Sequence, residues 1–488
     1  MNSVTQKVPF GKLCLICLAY SAFFTFCLYR NERGITFPFF VAGTVAFFIY
    51  YMRTMGKEIK KFSVFYIASI CLLGIDVCIT ASYVLISFDY FFIFVLFIML
   101  FLYNIYDDRT WDAGRYFTAI CEFFFSIIGY IFRPFRDFSA VCKKETKDQD
   151  QEQDEQKTEQ KKNIWYILTG LAISIPLLCI ILPLLISSDI IFSNKMDDMF
   201  SFLWDIDIAD LIFMFVASFF AAYALVYRLT ERIERLDIPV EDKRTHSPLI
   251  AITMNLVLLV VYMMYSVIQI VYLFMRAGEL PDGYTYSRYS HEGFFQLVFV
   301  CLINIILVLI CRKHSKDSMA LKIILCLISA CTYIMLSSSA YRMFLYISVY
   351  NLTFLRIYVL WALLVMAVIM AGIIVFLFKA DMPFVKFSLV SFISLWILFV
   401  AIDPDYQIAK YNLLNKDDDK YIYELSLDAL PAIERFGDEE MVVQYCKRNR
   451  MEIRKHFSRY ELVDDLTVRT WNYSRWRTSK IIKYTDAD

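Results

Sequence analysis

Eleven apolar runs of roughly 20 residues each constrain this chain more than any other feature, because a helix of that length spans the hydrocarbon core of a bilayer. Hydrophobic residues make up 59% of its 488 residues, against about half in a soluble protein. We therefore expect an all-α, polytopic membrane helical bundle of about 11 transmembrane helices. The runs are Leu13–Tyr29, Ile35–Met52, Phe62–Ser82, Val84–Tyr103, Ile164–Ser188, Leu211–Tyr227, Leu249–Met275, Phe294–Ile310, Ala320–Ser339, Tyr358–Phe378 and Phe384–Ile402.

Charge and motif content exclude several classes of protein. The 49 Lys and Arg residues balance 49 Asp and Glu residues, so no net positive charge favours nucleic-acid binding. The 4 histidines and 13 cysteines have no zinc-ligand spacing. No Walker loop, nucleophile elbow or dinucleotide fingerprint occurs either. The sequence predicts no catalytic residue, no metal and no cofactor, and the lipid bilayer is the first expected partner.

Basic residues in the short loops predict the orientation. They concentrate in the connections 53–61, 228–244 and 312–316, whereas the connection 189–210 is rich in aspartate and has a single lysine. Eleven crossings that place every basic loop in the cytoplasm begin with a cytoplasmic N-terminus and end with an extracytoplasmic C-terminus. We expect a multi-pass protein of the cell membrane with this topology.

The spacing of the runs divides the chain into four parts. Residues 1–106 form a four-span N-terminal membrane unit, and residues 107–163 form a cytoplasmic interfacial helix followed by a linker. The linker, Glu145–Asn163, is acidic, rich in Gln and without apolar residues, so it should be disordered. Residues 164–402 form a seven-span core, and residues 403–488 form a small helical extracytoplasmic tail.

The segment Arg115–Arg133 is apolar except for one narrow polar stripe at helical spacing. A crossing here would move the basic run 136–144 to the other side of the membrane. This favours an interfacial or re-entrant helix on the cytoplasmic face, although the pattern leaves open whether Tyr116–Phe132 crosses. The stripe consists of Thr118, Glu122, Ser126, Gly129 and Arg133.

We interpret Asp76 as the one acid that sits clearly inside a span, roughly 21 Å along it at 1.5 Å per residue. Charged groups within the membrane are costly and usually face a partner or a water-filled cavity. The functional interpretation is a proton or cation site. The structural one is a hydrogen bond, or a helix boundary that puts Asp76 at the interface. The polar residues within spans favour hydrogen bonds between helices; they are Asn255, Gln269, Gln296 and Asn304.

Charged residues from separate parts of the chain reach the extracytoplasmic side in this topology. Glu292 begins the eighth span, and the amphipathic segment Tyr341–Arg356, expected at the interface, contributes Arg342 and Arg356. We expect Glu292 to pair with one of these arginines at a ligand entrance. Together with Asp76, these three residues are the ligand or ion candidates. The alternative is that Glu292 only complements the positive end of its helix.

Three short segments point to a family: 289–297 (YSHEGFFQL) with a following Asn, 350–356 (YNLTFLR) and 405–413 (DYQIAKYNL). They resemble the YAREGFFQL…N, YGLTxLR and DALIARYNL segments of a bacterial polytopic membrane family known as domain of unknown function 4173, related to 4153. His291 replaces the motif arginine and Asn351 the glycine. The resemblance implies the fold and brings no activity. The family-like positions are Tyr289, Glu292, Gly293, Phe294, Asn304, Tyr350, Thr353, Arg356 and Asn412.

Three functions fit these features. The first is a bacterial cell-envelope protein that transports, or senses and relays, a small-molecule or lipid-like ligand, which Asp76 and the outer charged residues favour. The second is a structural or assembly factor that docks an envelope protein partner through its tail and linker. The third is a membrane-embedded transferase that uses a carboxylate such as Glu292, for which the sequence has no catalytic signature.

Overall fold

The computed structural model describes residues 10–31, 33–108, 111–140, 208–230, 246–271, 294–379, 382–415, 420–456 and 468–478. These residues form α-helices and short 3-10 turns and contain no β-strand, apart from one isolated bridge between His246 and Ser315. The fold class is all-α, as the apolar runs predict.

In chain order, the helices are α1 (Phe10–Leu28), α2 (Thr36–Thr54), α3 (Ser63–Ile79), α4 (Tyr83–Ile105), α5 (Ala113–Gly129), α6 (Arg133–Ala140), α7 (Ile208–Thr230), α8 (Pro248–Ile270), α9 (Phe294–His314), α10 (Met319–Tyr350), α11 (Phe354–Phe378), α12 (Phe384–Ala401), α13 (Pro404–Asn415), α14 (Leu430–Phe436) and α15 (Glu439–His456).

Nine of the described helices are long and apolar enough to cross a membrane: α1, α2, α4 and α7 to α12. The predicted third span corresponds to α3, which is apolar but 17 residues long. The predicted fifth span, Ile164–Ser188, lies outside the described residues. Every other predicted run coincides with a described helix, and the chain is a multi-pass membrane protein.

Helix α10 is longer than its apolar run. It has 32 residues and ends at Tyr350, so most of the expected interfacial segment Tyr341–Arg356 continues this helix and is not a separate element. The helix ends because Asn351 has φ 77°, in the left-handed region that favours glycine. Glycine is the residue that the resembling family segment has at this position.

The chain divides into two compact units. The first comprises Met1–Glu32, Phe39–Lys60 and Phe117–Leu236, and the second Arg33–Pro38, Lys61–Tyr116 and Asp237–Asp488. In the first unit, α1 packs against α7, and the hydroxyl oxygens of Ser21 and Ser218 lie 2.7 Å apart. The four-part organisation drawn from the sequence stays a prediction.

The polar stripe on α5 faces another helix of the first unit. Ser126 Oγ accepts a 2.6 Å hydrogen bond from Nε of Arg228 on α7. The Arg133 guanidinium lies 4.5 Å from the ring centroid of Tyr227. Helices α5 and α6 meet at a bend of 55°, a geometry typical of a broken span or a re-entrant loop.

The second unit joins membrane helices to the tail. Its α3–α4 hairpin packs against α12, and α10 packs against α8, α9 and α11. One apolar cluster combines Met335 and Leu363 of these helices with tail residues. The tail side chains Ile408, Ile422 and Leu430 are fully buried there, and burying each stabilises by roughly 1.5–3 kcal/mol relative to exposure. The tail is therefore docked on its unit rather than free.

Candidate functional site

A carboxylate from the tail holds the α3–α4 turn, residues 80–82. Asp428 accepts hydrogen bonds from Thr80 Oγ1 at 2.5 Å and from the Ala81 N–H at 3.0 Å. The Ser82 N–H donates to Thr80 Oγ1 at 3.1 Å. A turn between two apolar helices needs such acceptors because its N–H groups have left the helical ladder. Asp428 thus fixes the tail to the turn.

Two aspartates on facing helices meet beside this turn. Asp76 lies in the last turn of α3, where its carbonyl accepts from the Thr80 N–H at 2.9 Å. Its carboxyl group is a close neighbour of that of Asp89, in the second turn of α4. Asp89 is fully buried, and its Oδ1 accepts from Trp396 Nε1 at 2.8 Å. Two carboxylates that are buried side by side repel each other, so the pair is suited to sharing one proton.

Two more carboxyl groups come from the start of the tail. Asp405 accepts from the N–H and the hydroxyl of Ser426 at 3.2 and 2.5 Å. Burial raises the pKa of Asp405 to about 6, although the Ser426 bonds oppose this rise. Burial and, next, the charge of Asp428 raise the pKa of Asp403 to about 8. Both groups exchange protons near neutral pH.

The five residues Asp76, Asp89, Asp403, Asp405 and Asp428 are called the aspartate cluster below. Within the described part of the chain, none of them forms an ion pair with a basic side chain. No described Asp, Glu, His and Cys side chains form a group of three that could hold a metal ion. Like charges this close together in a low-dielectric site repel one another.

A residue of the C-terminal segment binds the end of α3, next to the aspartate cluster. The Asn472 side-chain amide donates to the carbonyls of Thr80 at 3.1 Å and of Val77 and Arg33 at 3.4 Å. Asn472 is 1% exposed. It supplies the donor that the last carbonyls of a helix lack, and so ties the segment 468–478 to the end of α3.

Several family-like positions have packing roles. The Asn412 amide bonds both backbone groups of Leu352, accepting from its N–H at 2.8 Å and donating to its carbonyl at 2.9 Å. Arg356 Nη1 donates to the carbonyl of Tyr350 at 2.8 Å. Thr353 precedes α11 as its N-cap residue without a side-chain bond. These contacts join the α10–α11 connection to α13 of the tail.

The predicted hydrogen bonds between membrane helices are confirmed for Asn304 and Gln269. Asn304 accepts from the Tyr262 hydroxyl at 2.8 Å and donates to Thr332 Oγ1 at 2.9 Å. Gln269 Oε1 receives a 3.4 Å contact from Arg342 Nη2. These bonds connect α8, α9 and α10.

Part of the first family-like motif lies outside the described residues: Tyr289, Glu292 and Gly293. Phe294 begins α9. The expected pair between Glu292 and an arginine therefore stays a prediction. Of the ligand candidates in the described residues, Asp76 alone belongs to the aspartate cluster.

The expectation that Asp76 is the one acid inside a span is wrong, because Asp89 lies within α4 and is 0% exposed. The sequence feature that could have identified Asp89 is the shortness of the turn 80–82 between two apolar runs. A short turn makes α3 and α4 a tight hairpin. Asp76, four residues before the turn, and Asp89, seven residues after it, then lie near one another. No local signal brings Asp405 or Asp428 to this place, because both arrive from more than 300 residues away along the chain.

The family model for "Domain of unknown function (DUF4153)" matches residues 67–436, which is more than half of the 488 residues. The sequence motifs above resemble domain of unknown function 4173, and the matching family, 4153, is the one related to it. The match does not show membership of 4173 itself. All five members of the aspartate cluster fall within the matched residues. No curated protein and no solved structure is significantly similar to the chain.

Proposed function

We propose that this chain, which belongs to the DUF4153 family, is a bacterial cell-envelope protein that transports, or senses and relays, a small or lipid-like ligand through proton binding at its aspartate cluster. The observation that carries the proposal is the Asp76–Asp89 pair, two neighbouring carboxyl groups on the packed helices α3 and α4. The basic loops favour a cell-membrane topology with the N-terminus in the cytoplasm and the C-terminus outside.

In this mechanism, release of a proton from the Asp76–Asp89 pair drives a movement of α3 relative to α4. Two negative charges about 4 Å apart repel by about 4 kcal/mol at an effective dielectric constant of about 20. A typical coupling between sites is about 1–3 kcal/mol, so this repulsion is sufficient to move one helix relative to the other.

The tail is placed to respond to that movement. Asp428 holds Thr80 and Ala81 directly after α3, and Ser426 links Asp428 to Asp405 at the start of α13. A shift at the end of α3 therefore changes the tail contacts. Ligand movement across the membrane, or a signal to the tail, is coupled to the protonation of Asp76 and Asp89 in this mechanism.

Proton flux tests the proposal. The full chain is reconstituted in liposomes that contain a pH-sensitive dye, and a pH gradient is imposed across the membrane. The intrinsic tryptophan fluorescence is followed in parallel over pH, because Trp396 bonds Asp89. We expect proton flux, or a pH-dependent fluorescence change without flux, which correspond to transport and sensing respectively. Both responses should disappear in Asp76→Asn and Asp89→Asn.

The matched control is Glu434→Gln, which removes an exposed carboxylate from the same unit and should leave either response intact. Wild-type protein with neither response contradicts the proposal. If that protein also co-purifies with a stoichiometric partner, the assembly-factor hypothesis replaces it.

A further inference from the structure

The segment 468–478 concentrates aromatic and basic side chains beside the α3–α4 turn. Trp471, Tyr473 and Trp476 form a cluster with ring centroids 6.1 to 6.4 Å apart. Tryptophan and tyrosine are enriched where a membrane protein meets the lipid headgroups. The segment also carries Arg475 and Arg477, and its position is set by the Asn472 amide. Its composition suits a headgroup layer more than bulk water or the hydrocarbon core.

Two arginines meet at this place from distant parts of the chain. The Arg33 guanidinium lies 3.6 Å from the ring centroid of Tyr83. The Arg475 N–H donates to Asn472 Oδ1 at 3.2 Å, and the Asn472 amide donates to the Arg33 carbonyl at 3.4 Å, so the two arginines lie near one another. Burial and, next, the positive charge of Arg33 lower the pKa of Arg475, whereas Tyr83 opposes this effect. Three chain segments thus bring two like charges to one place, and an anion that binds between them relieves their repulsion.

The depth of these residues in the bilayer indicates which anion they bind. Tyr83 is the first residue of α4, a membrane-crossing helix, so the ring lies where the apolar core of the bilayer ends. The phosphates of lipid headgroups occupy that layer. Guanidinium groups bind phosphate through paired N–H donors.

We propose that Arg33 and Arg475, beside Tyr83, form a binding site for the phosphate of an anionic lipid headgroup. The lipid bridges the α1–α2 connection, the start of α4 and the C-terminal segment. The site is separate from the aspartate cluster, and its occupancy does not depend on proton coupling.

Lipid retention tests the site. The purified full chain is titrated in detergent with phosphatidylglycerol or with phosphatidylcholine, and the bound lipid is counted by native mass spectrometry. The melting temperature is followed in parallel. We expect phosphatidylglycerol to be retained and to raise the melting temperature more than phosphatidylcholine does. Arg33→Gln and Arg475→Gln should each weaken phosphatidylglycerol binding about fivefold, the effect of one basic residue at a membrane surface.

Arg477→Gln is the matched control, because it removes the same charge from an exposed position two residues along the segment and should leave binding unchanged. Arg475→Lys should retain part of the binding. If Arg475→Gln does not fold, Arg33→Gln decides the outcome alone.

Three results would overturn the proposal. The first is wild-type lipid retention in Arg33→Gln and Arg475→Gln. The second is an equal loss in Arg477→Gln, which indicates diffuse attraction instead of a site. The third is stabilisation by glycerol phosphate or inorganic phosphate that matches the lipid, which would make a soluble anion the ligand.

Discussion

The two ends of the α3–α4 hairpin differ in what surrounds their buried carboxyl groups: a basic side chain at one end, and other acids at the other. After the end of α4, Asp108 is paired with Lys386 Nζ at 2.7 Å and accepts from the Tyr116 hydroxyl at 2.6 Å. At the turn end, the aspartate cluster has no ion pair with any described basic residue, and Asp76 has Asp89 as a neighbour. A paired carboxylate is fixed in one charge state, whereas a cluster of acids changes charge with its protons.

This difference separates a structural role from a functional one. Asp108 links the α4–α5 connection to α12 through its ion pair. The acids of the aspartate cluster repel one another instead, and in the proposed function this repulsion makes the cluster respond to proton concentration. The predictions below compare these two ends, from the largest expected effect to the smallest.

Lys386→Met should cause the largest loss. It leaves the Asp108 carboxylate, 4% exposed, without its cation, and breaking a buried pair costs about 3–5 kcal/mol. Because Lys386 is 16% exposed, we expect a value near the lower limit, measured as the unfolding free energy in detergent. The control is Lys322→Met, whose partner Asp317 is 56% exposed and which should cost about 0–1 kcal/mol. Equal losses would refute the assignment of a buried structural pair.

Asp428→Ala tests how the tail is held at the turn end. It leaves the Thr80 hydroxyl and the Ala81 N–H without their acceptor, which should cost about 1–3 kcal/mol. Limited proteolysis should cut the tail faster than in wild type. Asp428→Asn keeps a carbonyl oxygen as acceptor and should lose less. Identical behaviour of the two variants would mean that these bonds do not hold the tail.

Stability should depend on pH through Asp403 and Asp405. Their pKa values in the folded protein, about 8 and about 6, lie above the ordinary value of 3.8. The folded state therefore binds more protons between pH 4 and pH 8, and stability falls as pH rises through this window. The melting temperature should be higher at pH 5 than at pH 8.

Asp403→Asn should flatten most of this slope, particularly its upper part, which Asp403 dominates. The groups that act on Asp403 are Asp428, Asp405 and Asp76, together with the Tyr406 N–H. Glu434→Gln should leave the slope unchanged. A melting temperature that rises from pH 5 to pH 8 would contradict raised pKa values of Asp403 and Asp405 in the folded protein.

Asp76→Asn should have the smallest effect on stability, about 1 kcal/mol or less. Asparagine keeps the hydrogen-bonding capacity and removes one of the like charges. The proton response should nevertheless be lost. Folding yield and proton flux measured on the same preparation separate the two effects. A parallel loss of both would assign Asp76 a structural role, as for Asp108.

Hydropathy predicts the helices well because burial in lipid requires long apolar runs, and the described helices coincide with those runs. The end of α10 was not predicted, because Tyr341 to Tyr350 is mixed in polarity and the helix stops only where Asn351 takes a positive φ. Periodicity does identify the α5 stripe. No local pattern in the sequence predicts that Ser126 of this stripe contacts Arg228 of α7.

The site was much less predictable than the fold. Asp76 is found by its place in an apolar run, and Asp89 by the shortness of the turn. Asp403, Asp405 and Asp428 are ordinary acids of a polar tail in the sequence, and only the docking of that tail makes them buried neighbours. Tertiary contacts over long separations, rather than local chemistry, create the cluster.

The central claim is that Asp76 and Asp89 share a proton at neutral pH, and infrared spectroscopy of the full chain tests it directly. A protonated carboxyl group has a C=O stretching band that is distinct from the carboxylate bands. We predict such a band in wild-type protein at neutral pH, with a component that disappears in Asp89→Asn and remains in Glu434→Gln. Spectra in which neither Asp76→Asn nor Asp89→Asn removes any protonated-carboxyl intensity would contradict the account.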